Sequence, residues 1–327
     1  MKKSAIFAIL AVLIAATTVW PQAGTGPMTE KEVIKLIKQN KKDQLKAAGI
    51  VGQPGVSFDV TDEFRKELEK AGASETFYRP VVAASPTGRS FTTPLGERLQ
   101  VMPDEKADFL QIQGELDSSQ QLKLCENFEK KYPQSNLVSY VLSQLASLYQ
   151  KQGQYEKVIE LCNRSIQLDS KNIFSLVMLA MILPQPRLLR GTPAENEKQV
   201  ARAAEQASKA IELMAQIPAD MLEKDEELQK RKAALTADAH SALGMVALYR
   251  EDPPTAADEF KAAIAGGSGA NPTNYFRLGE AYETMGKLDQ AIEALQNAAD
   301  LGTGTAFQDF ANKKIAEIKA RKGLVTR

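Results

Sequence analysis

Catalysis needs a nucleophile, a base or a metal ligand held close to others of its kind, and this sequence is poor in all three. It contains one histidine, His240. A general base or a metal ligand is the functional reading of such a residue. No second histidine or fixed nucleophile lies near it in the chain, and its register puts it on the packing face of an amphipathic helix, so it reads as a packing residue. The two cysteines, Cys125 and Cys162, lie in amphipathic helical segments. Two thiols with no histidine beside them make no zinc site. They read as small buried apolar residues, and a bridge between neighbouring helix pairs stays open as the alternative. Gly266-Gly267-Ser268-Gly269 lacks the strand that precedes a phosphate-binding loop, and no Gly-x-x-x-x-Gly-Lys occurs. The sequon Asn163-Arg164-Ser165 falls inside a helix rather than in a surface loop. No catalytic residue, cofactor or metal is expected, and the chain reads as a non-enzyme.

Composition narrows the class further. Lys plus Arg equals Asp plus Glu at 41 each. With no cationic excess there is little to release counterions from a nucleic-acid backbone, so no nucleic-acid partner is expected. Apolar residues at 43% and charged residues at 25% are ordinary for a globular protein. The 327 residues suffice for about two domains. Helical periodicity dominates and few segments alternate with a strand period, which predicts an all-α fold.

The elements that must position any site are clearest at residues 272–305. Tyr275, Leu278, Gly279 and Tyr282 share one face of a helix. A turn at Met285-Gly286-Lys287 leads to a second helix with Ala291, Leu295 and Ala298 on one face. Gly279 allows close approach, and the alanines present no bulk at the crossing. Such a pair cannot bury its stripe alone and must stack on copies of itself. Residues 139–172 repeat the pattern with Leu142, Leu145, Ala146 and Tyr149, then Val158, Cys162 and Ser165. Residues 237–270 do so with His240, Leu243 and Gly244, then Ala256, Phe260 and Ala263. These residues resemble the tetratricopeptide repeat, in its large-x-x-Leu-Gly-x-x-Tyr … Ala … Ala form. Weaker copies occupy 104–135 and 173–216. The first carries Phe109, Ile112 and Leu116 inward, then ends at Tyr132-Pro133-Gln134-Ser135, an ending that resembles repeats of exported bacterial proteins. The second is interrupted by about 11 extra residues around 184–196, by repeat spacing. A charged insertion at about 217–236 is expected to be helical and to lengthen the next first helix, starting at Pro218 and Asp220. The expectation is a solenoid over 104–322, of about five helix pairs and a C-terminal capping helix with Phe307, Phe310, Ile315 and Ile318 on one face.

Ahead of the repeats, Lys2 and Lys3 precede an uncharged run from Ala5 to Val19. That run is short for a membrane span, which needs roughly 20 apolar residues. It reads as a signal peptide over 1–23, cleaved between Ala16 and Ala23, with an uncleaved anchor as the alternative. The expected location is therefore exported, periplasmic or secreted, with no integral membrane domain after cleavage. Residues 28–84 form a small helical module. Thr29 and Glu32 have capping-box spacing, Thr61 can cap a helix carrying Phe64 and Leu68, Gly72 suits its C-cap, and Ser74 opens a last helix. Gly49, Gly52, Pro54 and Gly55 read as a break between helices. The module resembles one found before repeat domains in exported bacterial proteins. Residues 85–103, with Pro86, Gly88, Pro94, Gly96 and Pro103, read as a linker.

The resemblance implies that first helices line a concave binding face. Repeat spacing places Tyr140, Ser143, Gln144 and Ser147 there from the second pair, and Phe174, Val177, Met178 and Met181 from the third. Ser241, Met245 and Leu248 follow from the fourth, and Phe276, Arg277 and Glu280 from the fifth. Some family members hold a terminal carboxylate with Lys and Asn at such positions, which this chain lacks. Its Met-containing centre suits an apolar or amphipathic peptide. Alternatively, Leu188 and Leu189 of the insertion fold back and make this face ordinary core. The function expected is a scaffold binding a protein or peptide. A self-associating structural component and an enzyme accessory or hydrolase subunit are the other readings.

Overall fold

The computed structural model describes residues 26–52, 54–266 and 271–325. The expected signal peptide and the glycine-rich link at 267–269 lie outside them. The chain divides into two units, with the boundary between Gly88 and Arg89.

The first unit packs four helices among the described residues, α1 (Glu30–Gln39), α2 (Gln44–Gly52), α3 (Asp62–Ala71) and α4 (Glu75–Ala84). Thr29 and Glu32 form the capping box. The Glu32 carboxylate accepts from the Thr29 amide at 2.7 Å, and that bond lowers its pKa. Thr61 caps α3, and its C-cap Gly72 is left-handed. Gln44 ties two helix ends together: its amide nitrogen donates to the Gly72 carbonyl (2.9 Å), and its amide oxygen accepts from the Ser74 backbone (2.8 Å). Val33, Ile37, Val51, Phe64, Leu68, Phe77 and Val81 form the core. The expected break at Gly49 and Gly52 is instead part of α2. Ala47, Ala48 and Val51 are buried there, and that packing outweighs the low helix propensity of glycine, about 1 kcal/mol per residue.

The second unit begins with a hairpin where a linker is expected. Strands β1 (Ser90–Thr92) and β2 (Arg98–Gln100) pair antiparallel, with Phe91 opposite Leu99. Phe91 and Val101 are buried, and Phe91 meets Phe109 edge-on at 5.1 Å between ring centroids. The proline and glycine count hides this short alternation. The helices that follow among the described residues are α5 (Pro103–Gly114), α6 (Ser118–Lys131), α7 (Val138–Lys151), α8 (Tyr155–Leu168), α9 (Ile173–Ile182), α10 (Pro193–Ala215), α11 (Ala219–Lys224), α12 (Glu226–Tyr249), α13 (Pro253–Gly266), α14 (Pro272–Thr284), α15 (Leu288–Leu301) and α16 (Ala306–Val325). Each of the five pairs packs its first helix on its second, and each second helix packs on the next pair. The first helices α7, α9, α12 and α14 also touch in succession. This is an all-α helical-hairpin solenoid closed by a terminal helix.

The insertions take definite form. Residues 186–188 make one 3-10 turn, and Thr192 with Glu195 caps α10 by a second capping box. The charged insertion is helical as expected but breaks at Asp225, whose side chain caps α12 by accepting from the Leu228 amide (2.9 Å). Two packing expectations fail. Leu116 is 96% exposed because α5 ends at Gly114 and Leu116 falls in the turn. Phe310 is 59% exposed, since one ring face stacks on Phe276 at 5.1 Å while Ile315 and Ile318 carry the burial. The capping helix is also held by Lys314 and Arg321, which both pair with Glu283. Cys125 and Cys162 are buried and unbridged, and burial pushes each thiol up to about 12. They serve as small apolar residues.

At the best-formed crossing, a Cβ on Gly279 would lie 2.7 Å from Leu295 Cγ and 3.3 Å from the Ala291 carbonyl oxygen. Gly279→Val should therefore lower stability by about 1–3 kcal/mol, as overpacked cores do. Urea unfolding checks this; an unchanged midpoint would refute the close approach.

Candidate functional site

No cluster of metal-ligating side chains occurs among the described residues. His240 bridges α12 to Glu259 on α13, with Nδ1 2.7 Å from the carboxylate. Asn163 of the sequon accepts a hydrogen bond from Arg202 on α10. The sequence-derived site residues therefore fall to the face formed by the first helices.

That face is not uniform. Tyr140 is 9% exposed, Val177 4% and Phe276 5%, so these three are not open surface. Phe276 belongs to the core beneath the capping helix, with Ala291, Leu295 and Ile318. Ser143 and Ser241 are buried polar ties between successive pairs. Ser143 Oγ lies 2.8 Å from Ser175 Oγ and donates to Asn172 Oδ1 at 3.1 Å, while Ser241 Oγ donates to Asn274 Oδ1 at 2.7 Å. Gln144, Ser147, Phe174, Met178, Met181, Met245, Leu248, Arg277 and Glu280 are half-buried. Arg277 donates to Glu280 at 2.7 Å.

Leu188 and Leu189 pack on the same cluster as Phe174 and Met178, so the insertion does fold back. It walls the face without sealing it. Pro184, Pro186 and Leu189 from the insertion, Met245, Leu248 and Tyr249 from α12, and Arg277 from α14 line a cavity of about 380 Å³. Arg187 is drawn aside, its guanidinium 3.6 Å from the Tyr155 ring centroid. The open part of the site thus joins α12 and α14, with Met245 and Arg277 brought together at one cavity.

The other part of the face is occupied by the hairpin tip, residues Thr93 to Glu97. Tyr140 donates its hydroxyl to Glu97 Oε2 at 2.9 Å. Burial, reinforced by that carboxylate, holds the phenol well above its ordinary pKa, so it stays a donor. Arg231 on α12 donates to the Pro94 carbonyl. Leu95 packs on the cluster containing Ile173, Leu176 and Val177. Burial also raises the Asp238 carboxyl, on the same helix as Arg231. Sequence reasoning misses Leu95, Glu97, Leu228 and Arg231 because they lie in segments outside the repeat. The one available signal is the apolar alternation of Phe91, Leu99 and Val101.

Comparison with known proteins agrees with the repeat geometry. The tetratricopeptide-repeat family models match residues 141–172 and 272–301. No curated protein matches the chain. Similar solved structures include a thermophilic tetratricopeptide-repeat protein from Thermus thermophilus, at 18% identity and a TM-score of 0.44, covering 66% of this chain and 99% of that one. Another is MamA, at 18% identity and 0.37, covering 60% and 86%. A third is PilW, a type IV pilus biogenesis factor, at 15% identity and 0.36, covering 63% and 95%.

The docking of the tip makes one residue critical. Gly96 has φ of 83°, and a Cβ there would lie 2.5 Å from Met221 Cε on α11 and 3.5 Å from Leu228 Cδ2 on α12. Gly96→Val should dislodge the tip and speed tryptic cleavage at the exposed Arg98 at least several-fold, read by mass spectrometry. An unchanged cleavage rate would show that the tip is not held.

Proposed function

We propose that this chain, which carries tetratricopeptide repeats, is a non-enzymatic scaffold that is exported and binds a protein or peptide in the cell envelope. Repeats of this kind are protein-interaction scaffolds, so a protein partner follows from the fold. Export rests on Lys2, Lys3 and the uncharged run that follows them. Among the described residues no helix is long and apolar enough to cross a membrane.

The observation that carries the binding reading is the cavity between α12, α14 and the 184–196 insertion. Its lining combines Met245, Leu248 and Tyr249 with the polar edge of Arg277. Methionine adapts its shape, and an apolar floor with a charged rim fits an amphipathic peptide. Residues at the centre of such a contact commonly contribute about 2 kcal/mol or more, roughly a thirtyfold change in affinity.

The test is tagged capture from envelope extract in the producing cells, with osmotic-shock fractionation alongside. The parent should appear in the shock fluid and recover a partner. A Met245→Glu, Leu248→Glu double variant with an unchanged thermal midpoint should lose that partner at least tenfold. Equal recovery by both chains would remove this cavity as the site, and retention in the cytoplasm would remove export.

A further inference from the structure

We infer that the hairpin tip is a built-in occupant of the first-helix face, a strap that must leave before an external segment of like chemistry can bind there. The inference rests on the scaffold reading and names the class of partner: a tight turn with a leucine two residues before a glutamate and a left-handed glycine between them.

Every contact of the tip is of a kind that a bound peptide makes. A side-chain carboxylate, Glu97, takes the Tyr140 hydroxyl at 2.9 Å. A main-chain carbonyl, that of Pro94, takes the Arg231 guanidinium. An apolar side chain, Leu95, sits on the cluster formed by α9, α10 and α12. The tip also holds its own shape. Thr93 Oγ1 accepts from the Glu97 amide at 3.1 Å, and the Thr93 amide donates to the Glu97 carbonyl at 2.7 Å. It therefore arrives as a preorganised ligand, which lowers the entropic cost of docking.

Its receptor is shared between repeat and non-repeat parts. Tyr140 belongs to the second pair. Met221, Leu228 and Arg231 belong to α11 and the added first turns of α12, which the repeat pattern does not require. Two of the segments outside the repeat, the hairpin and the charged insertion at 217–236, thus meet each other over the first-helix face. Leu228 is buried beside Gly96, and nothing about a solenoid alone would bury it.

Tip and stem are anchored separately. Phe91 and Val101 of the stem are buried in the core around Phe109. In the tip Thr93 is buried and Leu95 half-buried, while Glu97 is exposed despite its bond to Tyr140. Lifting the tip therefore uncovers Thr93 and Leu95 and leaves the stem's own core contacts in place. A cavity of about 330 Å³ lies beside it, lined by Glu97, Leu99, Asn136, Tyr140 and Asp169 among others, and gives an incoming segment a place to start.

The experiment uses a fluorescent peptide copying residues 89–102 and reads its anisotropy against two purified full-length chains. One is the parent. In the other, residues 93–97 are replaced by a two-residue Asn-Gly turn, which closes a hairpin without a tip. The shortened chain should bind the peptide at least tenfold more tightly than the parent. A peptide carrying Leu95→Asp should lose at least tenfold of that affinity, and one carrying Glu97→Gln should lose several-fold. If the shortened chain does not fold, a full-length Leu95→Asp, Glu97→Gln chain takes its place, with the same tenfold gain expected. Equal binding by parent and variant, or no binding to a folded variant, overturns the strap. In that event, partner capture that depends on Met245 and Leu248 would leave the scaffold reading standing. Peptide binding without any captured partner would support the strap and fault the scaffold reading.

Discussion

Two helices joined by a short turn have one apolar stripe between them and nowhere to bury its outer edge except on another such pair. The close crossing at Gly279 and Leu295 makes the fifth pair thin enough for this, because the facing positions Ala291 and Ala298 add no bulk. The arrangement of the repeats in the second unit follows from that requirement. Once pairs stack, their first helices come into line, and α7, α9, α12 and α14 make one continuous face. A terminal helix must then cover the last stripe, and α16 does so with Ile315 and Ile318 inward and two cations on Glu283.

Polar groups set the register of the stack. Hydrophobic contact alone would tolerate sliding of one pair along the next. Ser143 with Asn172 and Ser175, and Ser241 with Asn274, are buried groups whose oxygens are paired in the observed alignment, although the Asn172 side-chain nitrogen is buried without a partner. Each such bond adds about 1 kcal/mol when made and costs about 1–3 kcal/mol when a buried partner is left alone, so misalignment is penalised more than alignment is rewarded. The same serines have the spacing expected of the open face, and spacing alone does not distinguish a buried tie from an exposed contact.

The stacked fold was legible because helical periodicity and small-residue crossings are local signals, readable within one repeat-length window. The signature of Tyr275, Leu278, Gly279 and Tyr282 needs no knowledge of the rest of the chain. The site was less legible. Met245, Leu248 and Arg277 could be placed by counting, but Tyr140 and Val177 could not be known as buried without knowing what lies over them. The covering segment was hidden for a physical reason. Three-residue strands give too short an alternation to stand out, and Pro94 and Gly96, which shape the tip, look the same as linker residues. The 184–196 insertion posed an either-or question in sequence; in three dimensions Leu188 and Leu189 join the core while Pro186 and Leu189 also wall a cavity.

Helical arrays are built almost wholly from contacts between neighbours in sequence, and such chains tend to lose structure piecemeal, one repeat at a time. The bond from Arg231 to the Pro94 carbonyl joins residues 137 positions apart. With Tyr140 on Glu97, it fastens the start of the array to its fourth pair and bypasses the pairs between. Opening any one of those pairs then also disturbs the clasp, so the enclosed pairs are coupled in a way that nearest-neighbour contacts cannot supply. The fifth pair and α16 lie beyond the clasp and keep the looser, stepwise behaviour of an ordinary array. The molecule is thereby divided by cooperativity at a place where its secondary structure shows no division, and hydrogen exchange is the measurement in which that hidden boundary would be read.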